Sequence, residues 1–495
     1  MASAAGTESG YANEDRRRRG RPHRRGGWPG LLALLGLLAC AAAAAQGLPP
    51  DLAADWAATG LPDESLSLVV EDTDGHRLIG VQPDQPRNPA SVMKLVTTFA
   101  ALDALGPAHV WRTDLMVEPG TRRLADGSLS GPLYLRAGGD PQFQLEDLWL
   151  LLRELRVRGV RRIPELVVDR SVFGKVEIDT GAFDGDPTRP YNASPDAWMV
   201  GYGAVRLLFM PDLAARRWRV AMDPPLPGVR LEGAPAWSDT PCPGSPSVRT
   251  EPFLTSRGVS LRISGTVAGN CGEFDLYRLA LTQPAHAEAV FRTLWEEMGG
   301  TLDGRIRQGQ VPLDAVPFAS HASPPLGDIV RRINKFSNNV MARMLLLDIG
   351  AAREPGPATV ASGGQAVQEV LAARGLAFPE LVLDNGSGLS RDGRISAASL
   401  VRLLAAAWRS PVMPEFVSSL GIAGVDGTVR RRLQNTAAAG EAHLKSGSLR
   451  DVHALAGYVT GASGRRYLVA SLVNDPNARQ VDPFNDRLIA WLAGQ

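Results

Sequence analysis

Pro89-Ala90-Ser91-Val92-Met93-Lys94, with the apolar run Leu95 to Leu102 after it, is the stretch from which the fold and chemistry of this chain are inferred. The proline is typical of a helix entrance, and the apolar run predicts a buried helix. Ser91 and Lys94 then share one helix face, one turn apart, so the amine can take the hydroxyl's proton. Backbone N–H groups and the helix dipole at the entrance favour developing negative charge. The stretch therefore predicts a serine nucleophile with its base beside it.

Lysine usage supports this interpretation over a capped surface helix with a solvated lysine. Only four of the 53 basic residues are lysines, namely Lys94, Lys175, Lys335 and Lys445. Arginine supplies positive charge but cannot be deprotonated in a protein, whereas a desolvated lysine can act as a base near neutral pH. Three of these lysines fall in or beside the segments that carry the predicted chemistry.

Two further segments match this chemistry. One is Ser337-Asn338-Asn339, in a helical pattern that runs from Pro325 to Ile349, and the other is Lys445-Ser446-Gly447-Ser448, where a final strand meander begins. Alone, the first is also typical of a helix cap and the second of a loop. A hydroxyl, a carboxamide and an ammonium that share a cavity with Ser91 and Lys94 form an acyl-transfer site. The order and spacing of the three segments favour that site.

The three segments resemble the Ser-x-x-Lys, Ser-x-Asn and Lys-Thr-Gly motifs of the serine penicillin-binding proteins. More narrowly, the chain resembles the low-molecular-mass class C members, which are D-alanyl-D-alanine carboxypeptidase/endopeptidases. Further support comes from Gly139-Asp140-Pro141 and from the segments Asp169 to Phe173 and Asp384 to Arg391. Two departures stand out. Ser446 replaces threonine but keeps the hydroxyl, and Arg343 stands where an acidic residue is common, which we expect to affect helix packing more than chemistry.

The strand pattern and the resemblance together predict an α+β fold. A hairpin over Leu66 to Val81 and the meander over Ala442 to Val473 can form one five-stranded antiparallel sheet with helices on both faces. This is a β-lactamase/penicillin-binding-protein-like catalytic domain, predicted over residues 46–110 and 284–495. A shift to short strands and Pro/Gly-rich segments predicts two inserted β-rich domains. They are domain II, residues 111–185 and 261–283, and the nested domain III, residues 186–260.

The resemblance also assigns roles to the motif residues. Lys94, held neutral by burial and by the charge of Lys445, would take the proton of Ser91, which attacks the carbonyl between two terminal D-alanines. Ser337 would relay a proton to the leaving amine. Asn339 would hold the peptide amide, and water would release the acyl-enzyme. No cofactor is required.

The last motif is expected to bind the end of a peptidoglycan stem peptide. Lys445 and the hydroxyls of Ser446 and Ser448, on either side of Gly447, would receive the terminal carboxylate. Backbone N–H groups of Ser91 and Ser448 would form the oxyanion hole. β-Lactam antibiotics, which resemble D-alanyl-D-alanine, are the expected inhibitors.

A second pocket is expected from the resemblance, for the free end of the cross-link amino acid. By position its residues are Asp186, Tyr191 and Arg391, with Arg450 beside them. Asp186 would bind the ammonium and Arg391 the carboxylate of a diaminopimelate side chain. The alternative for these residues is an ordinary surface ion pair.

Charge and composition indicate an exported protein. The formal net charge is +1, but residues 1–45 hold seven arginines, so the rest is slightly acidic and offers no basic surface for nucleic acid. The arginine run precedes an apolar core, Leu31 to Leu38, and small residues up to Ala45. This predicts a signal peptide over residues 1–45, cleaved near Ala45, and a bacterial periplasmic location. Less favoured alternatives are an uncleaved anchor and a lipoprotein site at Cys40, which would give lipid-anchored or peripheral membrane association.

The cysteines follow from that location. Cleavage after Ala45 leaves Cys242 and Cys271, which an oxidising compartment would join in a disulfide. Cysteine and histidine spacing predicts no metal site, and no nucleotide-binding glycine loop is present. Two other functions stay open. One is a serine esterase or D-amino-acid peptidase on the same scaffold, and the other is a non-catalytic peptidoglycan-binding protein.

Overall fold

The computed structural model describes residues 47–244, 246–256 and 258–495. The helices are α1 (Pro50–Ala58), α2 (Lys94–Leu105), α3 (Leu145–Val157), α4 (Gln283–Glu297), α5 (Leu326–Phe336), α6 (Asn339–Arg353), α7 (Val360–Ala373), α8 (Ala397–Trp408), α9 (Met413–Ser418) and α10 (Asp482–Ala493). The strands are β1 (Leu66–Asp72), β2 (Arg77–Val81), β3 (Arg112–Val117), β4 (Leu133–Ala137), β5 (Arg162–Ile163), β6 (Leu166–Asp169), β7 (Ala204–Asp212), β8 (Arg217–Asp223), β9 (Val229–Glu232), β10 (Ala236–Ser238), β11 (Val248–Thr255), β12 (Gly258–Ala268), β13 (Phe274–Leu279), β14 (Thr301–Leu302), β15 (Ile306–Gln308), β16 (Val316–Ala322), β17 (Gly421–Ile422), β18 (Ala442–Ser448), β19 (Val452–Thr460) and β20 (Arg466–Asn474).

The sheet of the catalytic domain joins the two ends of the described chain. Its order is β17-β18-β19-β20-β1-β2, with antiparallel neighbours, and Leu66 of β1 lies opposite Val473 of β20. The five predicted strands all form. The sheet has six strands rather than five because Gly421–Ile422 pairs with β18 at the edge. A two-residue strand carries no alternation of apolar and polar residues, so the sequence pattern does not predict it.

Helices cover both faces of this sheet, as predicted. Val69 packs with α2, α5 and α8 in one apolar core, and its neighbours Leu68 and Val70 pack with α1 and α10 in another. Alternate residues of a strand point to opposite faces, so β1 is buried on both. Burial on both faces explains why Leu68, Val69 and Val70 follow one another as apolar residues within this strand.

The predicted helical stretch from Pro325 to Ile349 is two helices. Ser337 has a left-handed backbone with φ 56°, which ends α5, and Asn338 caps α6 by accepting a hydrogen bond from the N–H of Met341 at 3.0 Å. Left-handed and capping conformations suit short polar side chains that hydrogen-bond locally. The Ser-Asn-Asn motif is therefore the break between the helices, and this turn presents Ser337 and Asn339 together.

The strand pairing of the first inserted sheet does not follow the predicted domain boundary at residue 284. Its order is β15-β6-β4-β3-β16, and β16 pairs with β3 in antiparallel register, so that Ala322 lies opposite Arg112. Helix α4 contributes Phe291 and Trp295 to the same apolar core as α3. The predicted return to the catalytic domain at residue 284 conflicts with this pairing. We propose a return after β16, which the α4 sequence alone could not reveal because any amphipathic helix fits either domain.

The nested module also extends beyond its prediction. Strand β12 crosses the predicted boundary between residues 260 and 261, and β13 pairs with β7. Residues 261–283, predicted to lie in domain II, therefore pair with strands predicted in domain III. The Pro/Gly-rich composition that ends near residue 260 marks loops, not strand partners. A disulfide joins Cys242 to Cys271, beyond the ends of the paired strands β10 and β12.

The predicted signal peptide over residues 1–45 and Cys40 lie outside the described residues. Among the described residues, no helix has the length and apolar character needed to cross a membrane.

Candidate active site

Ser91 lies in a short 3₁₀ turn, Ala90–Met93, that leads into α2. Ala90 has an unusual φ of 46°. The side chain of Asn88 stabilises this turn through two hydrogen bonds. The Asn88 side chain accepts a hydrogen bond from the Ala90 N–H at 2.9 Å and donates to the carbonyl of Ser390 at 2.8 Å. The nucleophile thus sits on a turn whose strain is supported by a buried amide.

Lys94 is fully buried, and its contacts indicate what its amine does. Its Nζ lies 3.0 Å from Ser91 Oγ, 2.6 Å from Asn339 Oδ1 and 2.5 Å from the carbonyl oxygen of Ser387. The last two atoms can only accept hydrogen bonds, so they take two N–H groups of the amine. A neutral amine then has its lone pair left for the Ser91 hydroxyl. This is the arrangement that a general base for Ser91 requires.

The surroundings favour that neutral form. Burial is the main cause that lowers the pKa of Lys94 well below its usual range, and the charges of Lys445 and Arg343 add to it. Desolvation and nearby like charges both penalise an ammonium. The prediction that burial and Lys445 act on Lys94 agrees with this environment, but the contribution of Arg343 was not anticipated.

Lys445 is the second buried amine of the site. Its Nζ donates to Ser337 Oγ at 2.9 Å and to the carbonyl of Ser446 at 2.7 Å, which leaves one N–H of the ammonium for a ligand. Burial lowers the pKa of Lys445 to about 7. A bound carboxylate would restore its charge, since an opposite charge at contact favours the ammonium. The Ser446 hydroxyl lies 2.8 Å from the hydroxyl of Thr428.

Two glycines let the backbone close around the nucleophile. A Cβ at Gly447 would lie 2.6 Å from the carbonyl oxygen of Pro89 and 2.8 Å from the Ser91 nitrogen. A Cβ at Gly388, which also has a positive φ of 74°, would lie 1.9 Å from the carbonyl oxygen of Ala90. Only glycine permits both contacts. Strand β18 and the loop before Arg391 are therefore packed directly on the turn that carries Ser91.

Arg391 lines a cavity of about 350 Å³ at the edge of the catalytic domain. It donates to Asp451 at 2.8 Å and its guanidinium lies 4.8 Å from the ring centre of Phe183. The other polar residues that line the cavity are Asp179, Asn192, Arg343, Asp384, Asn385, Ser390 and Asp392.

The structure does not bring Asp186 and Tyr191 into this cavity, so the predicted grouping with Arg391 needs correction. Asp186 accepts hydrogen bonds from Thr188 and from the Arg189 guanidinium at 2.7 Å each. The Tyr191 hydroxyl donates to Asp184. These local hydrogen bonds agree with the alternative of an ordinary surface ion pair, because polar side chains in a loop tend to hydrogen-bond with their near neighbours in the sequence. Arg450 is exposed.

The other lysines divide between structure and surface. Lys335 is buried and donates to Asp426 at 2.7 Å and to the carbonyl of Leu420, so it ties α5 to the segment before β18. Lys175 is exposed. Lysine scarcity therefore points to Lys94 and Lys445, which lie together near Ser91, but does not by itself mark a catalytic residue.

A sequence model of the D-Ala-D-Ala carboxypeptidase 3 (S13) family matches residues 50–494. The chain belongs to this family. The resemblance inferred from the three motifs is thus confirmed, and the protein is a serine peptidase of the D-Ala-D-Ala carboxypeptidase type.

Several known proteins are similar over most of the chain. The D-alanyl-D-alanine carboxypeptidase of Actinomadura sp. (strain R39) is 31% identical over 82% of this chain and 77% of its own length. D-alanyl-D-alanine carboxypeptidase DacB of Haemophilus influenzae is 26% identical over 78% of this chain and 80% of its own length. The crystal structure of penicillin-binding protein 4 (dacB) from Haemophilus influenzae superposes with a TM-score of 0.74 at 23% identity. It covers 89% of this chain and 99% of the solved chain, and confirms the penicillin-binding-protein-like fold.

Proposed function

We propose that this S13 peptidase cleaves the bond after the penultimate D-alanine of peptidoglycan stem peptides through an acyl-enzyme on Ser91, and that penicillins acylate the same serine. The observation that carries the proposal is the bonding of Lys94, whose two N–H groups are taken by Asn339 and Ser387 while the third position faces Ser91. The name of the Actinomadura relative, a D-alanyl-D-alanine carboxypeptidase, supports this substrate class.

Acylation follows from that geometry. Lys94 takes the proton of Ser91 as Oγ forms a bond to the carbonyl carbon between the two D-alanines. The negative charge on the carbonyl oxygen is stabilised by the N–H groups of Ser91 and Ser448. The proximity of Gly447 to the Ser91 nitrogen supports this pairing of donors. The amine leaves after it receives a proton through Ser337, and water then attacks the ester of Ser91 and restores the serine.

Lys445 supplies the affinity for the substrate's terminal carboxylate. Its free N–H and the hydroxyls of Ser446 and Ser448 are the donors in this role, and charge-assisted hydrogen bonds are the stronger kind. Because burial lowers the pKa of Lys445 to about 7, substrate binding and protonation of Lys445 support each other.

The cavity lined by Arg391 is the proposed site for the free end of the cross-link amino acid. Arg391 would bind its carboxylate, and the carboxylates of Asp179 and Asp392 in the same lining are candidates for its ammonium in place of Asp186. When the amine that leaves belongs to the side chain of a cross-linked diaminopimelate instead of a terminal D-alanine, the same chemistry is an endopeptidase reaction.

Export to the periplasm is proposed from the arginine run, the apolar core and the small residues before Gln46. The disulfide between Cys242 and Cys271 supports an oxidising compartment. Cleavage near Ala45 is favoured, and acylation of Cys40 with lipid-anchored or peripheral membrane association is the alternative.

Two other functions are less well supported. A non-catalytic peptidoglycan-binding protein would not need a neutral amine bonded to a serine, and both are present at Lys94 and Ser91. A serine esterase or D-amino-acid peptidase would not need Lys445 as a carboxylate site.

The first prediction concerns Ser91. A labelled penicillin should be recovered on the peptide that contains Ser91, and Ser91→Ala should take up no label, while Ser463→Ala in an exposed turn should label normally. Purified protein incubated with muropeptides that carry pentapeptide stems or cross-links should release D-alanine or uncross-linked stems. Label on another residue, or no product from either substrate, would refute the proposal.

The second prediction separates the two buried amines. Lys94→Arg should slow penicillin acylation about 10³-fold, since a guanidinium cannot accept the serine proton. Lys445→Arg should retain part of the activity. The wild-type acylation rate should fall above about pH 7 as Lys445 loses its proton, and Lys445→Arg should abolish that fall because arginine stays charged. Penicillin acylation rates of the three proteins, measured as a function of pH, test both expectations. An active Lys94→Arg enzyme would mean that another group takes the proton.

The third prediction tests the side-chain cavity. Arg391→Gln should raise KM about tenfold or more for stem peptides with a diaminopimelate carboxylate, because a charge-assisted pair is lost, and should leave penicillin acylation unchanged. Arg409→Gln, at another exposed arginine of the same domain, is the matched control. Equal KM values for wild type and Arg391→Gln would remove Arg391 from substrate recognition.

The fourth prediction concerns export. Protein recovered from the periplasm of an expressing cell should have the intact mass of residues 46–495 with one disulfide, and non-reducing peptide mapping should join Cys242 to Cys271. A mass that includes a lipid on Cys40 would establish the alternative, and two free thiols would contradict export.

A further inference from the structure

Arg343 is a buried cation beside the catalytic residues to which the proposed mechanism assigns no task. It lies on α6 one turn after Asn339, the residue that accepts a hydrogen bond from Lys94, and only 6% of it is exposed. Residues four apart in a helix lie on the same face. Arg343 therefore faces the same side of α6 as the active-site carboxamide.

The guanidinium of Arg343 joins α6 to the inserted part of the chain. Its Nη1 donates to the carbonyl oxygens of Tyr191 and Ala193, at 3.2 Å and 2.9 Å, on the short turn that contains Asn192. Asn192 in turn donates to Asp184 at 2.8 Å, which extends the connection into the insert. These bonds join the catalytic helix to an insert segment that lines the Arg391 cavity.

The charge of Arg343 is not neutralised by a contact. Among the described residues no carboxylate forms an ion pair with it, and its Nε is buried without a hydrogen-bond partner. Burial lowers its pKa to about 10, so it stays protonated at neutral pH, and the nearest opposing influence is Asp384, which is exposed. A buried unpaired cation costs stability. Proteins retain such costs chiefly at functional sites.

We propose that Arg343 is a positioning residue of the acylation step, which holds the 190–193 turn against α6 and places a fixed positive charge beside Lys94. This inference rests on the proposed function, and it revises the expectation that Arg343 affects helix packing more than chemistry. The positive charge disfavours the ammonium form of Lys94 and so keeps its lone pair available to Ser91 at lower pH.

The other charged groups around Lys94 do not replace this charge. Lys445 on β18 acts in the same direction, but burial lowers its own pKa to about 7, so it is only partly charged at neutral pH. Lys335 on α5 is paired with Asp426. Asp348, further along α6, is buried, and this burial raises its pKa well above its usual range, which disfavours its charged form. Among the described residues, Arg343 is thus a cation near Lys94 that stays charged at neutral pH.

The test compares the pH dependence of acylation by a labelled penicillin in Arg343→Met, Arg343→Lys and wild type. Loss of the charge in Arg343→Met should move the acidic limb of the profile up by roughly one pH unit, so that acylation below the limb slows about tenfold. The rate above the limb should stay within a few-fold of wild type. Arg343→Lys keeps the charge and one donor and should keep the wild-type limb. Arg353→Met, an exposed arginine at the end of the same helix, is the matched control.

Two further measurements keep the proposal falsifiable if Arg343→Met does not fold. Asp384→Asn removes the opposing carboxylate and should move the acidic limb to lower pH by a smaller amount, and asparagine tolerates the positive φ of 51° there. Hydrogen exchange of the backbone amides of residues 191–193 should become faster in Arg343→Gln. An unshifted limb in folded Arg343→Met, a limb shifted equally in Arg343→Lys, or an unshifted limb in Asp384→Asn would overturn the inference. If wild type and Arg353→Met carry the label on Ser91, such a result leaves the proposed function intact, whereas an unlabelled wild type refutes the function itself.

Discussion

Two amines, Lys94 and Lys445, are buried without a carboxylate in the hydrogen-bonding contacts of either, and the rest of the active site depends on that constraint. Like charges repel strongly in a poorly solvated cavity, which favours the neutral form of Lys94, and burial lowers the pKa of Lys445 to about 7. The hydrogen bonds of the two amines indicate a different role for each. Lys94 is surrounded by acceptors that leave its lone pair for Ser91, whereas Lys445 keeps a donor free for a ligand.

The fold meets this constraint with segments that are far apart in the chain. The turn before α2 carries the nucleophile, the break between α5 and α6 carries Ser337 and Asn339, and β18 carries Lys445. The loop before Arg391 adds the carbonyl of Ser387. Close approach is possible because glycine at 388 and 447 lets two backbones contact the Ser91 turn. The same closeness excludes water from Lys94, and this exclusion is the main cause of its lowered pKa.

Short sequence motifs and apolar patterns predicted the candidate catalytic residues and the strands of the catalytic sheet, because both depend on the residue types of short segments. Ser91, Lys94 and Lys445 could be predicted as site residues because few residue types perform proton abstraction and carboxylate binding. The strands of the catalytic sheet could be predicted because their apolar residues form a strong pattern. Pairing between distant segments leaves no such pattern, which is why the predicted boundaries near residues 260 and 284 do not follow the strand pairing. The roles of Asn88, Ser387 and Arg343 were not predicted for a related reason: they depend on backbone carbonyls, turn geometry and burial that only the folded chain defines.

The pairing of β1 with β20 has a consequence for the order in which the protein can assemble. Strand β1 cannot form its pairing with β20 until the C-terminal meander has been synthesised, because Val69 pairs with Ala470. Contacts of such large sequence separation form late and slowly, whereas the inserted sheets lie within a continuous middle stretch and can form before them. During synthesis the inserted domains can therefore fold while the catalytic domain is still incomplete. The active site lacks Lys445, and the strand that packs on the Ser91 turn, until β18 has been synthesised, so the three motifs cannot come together before that point.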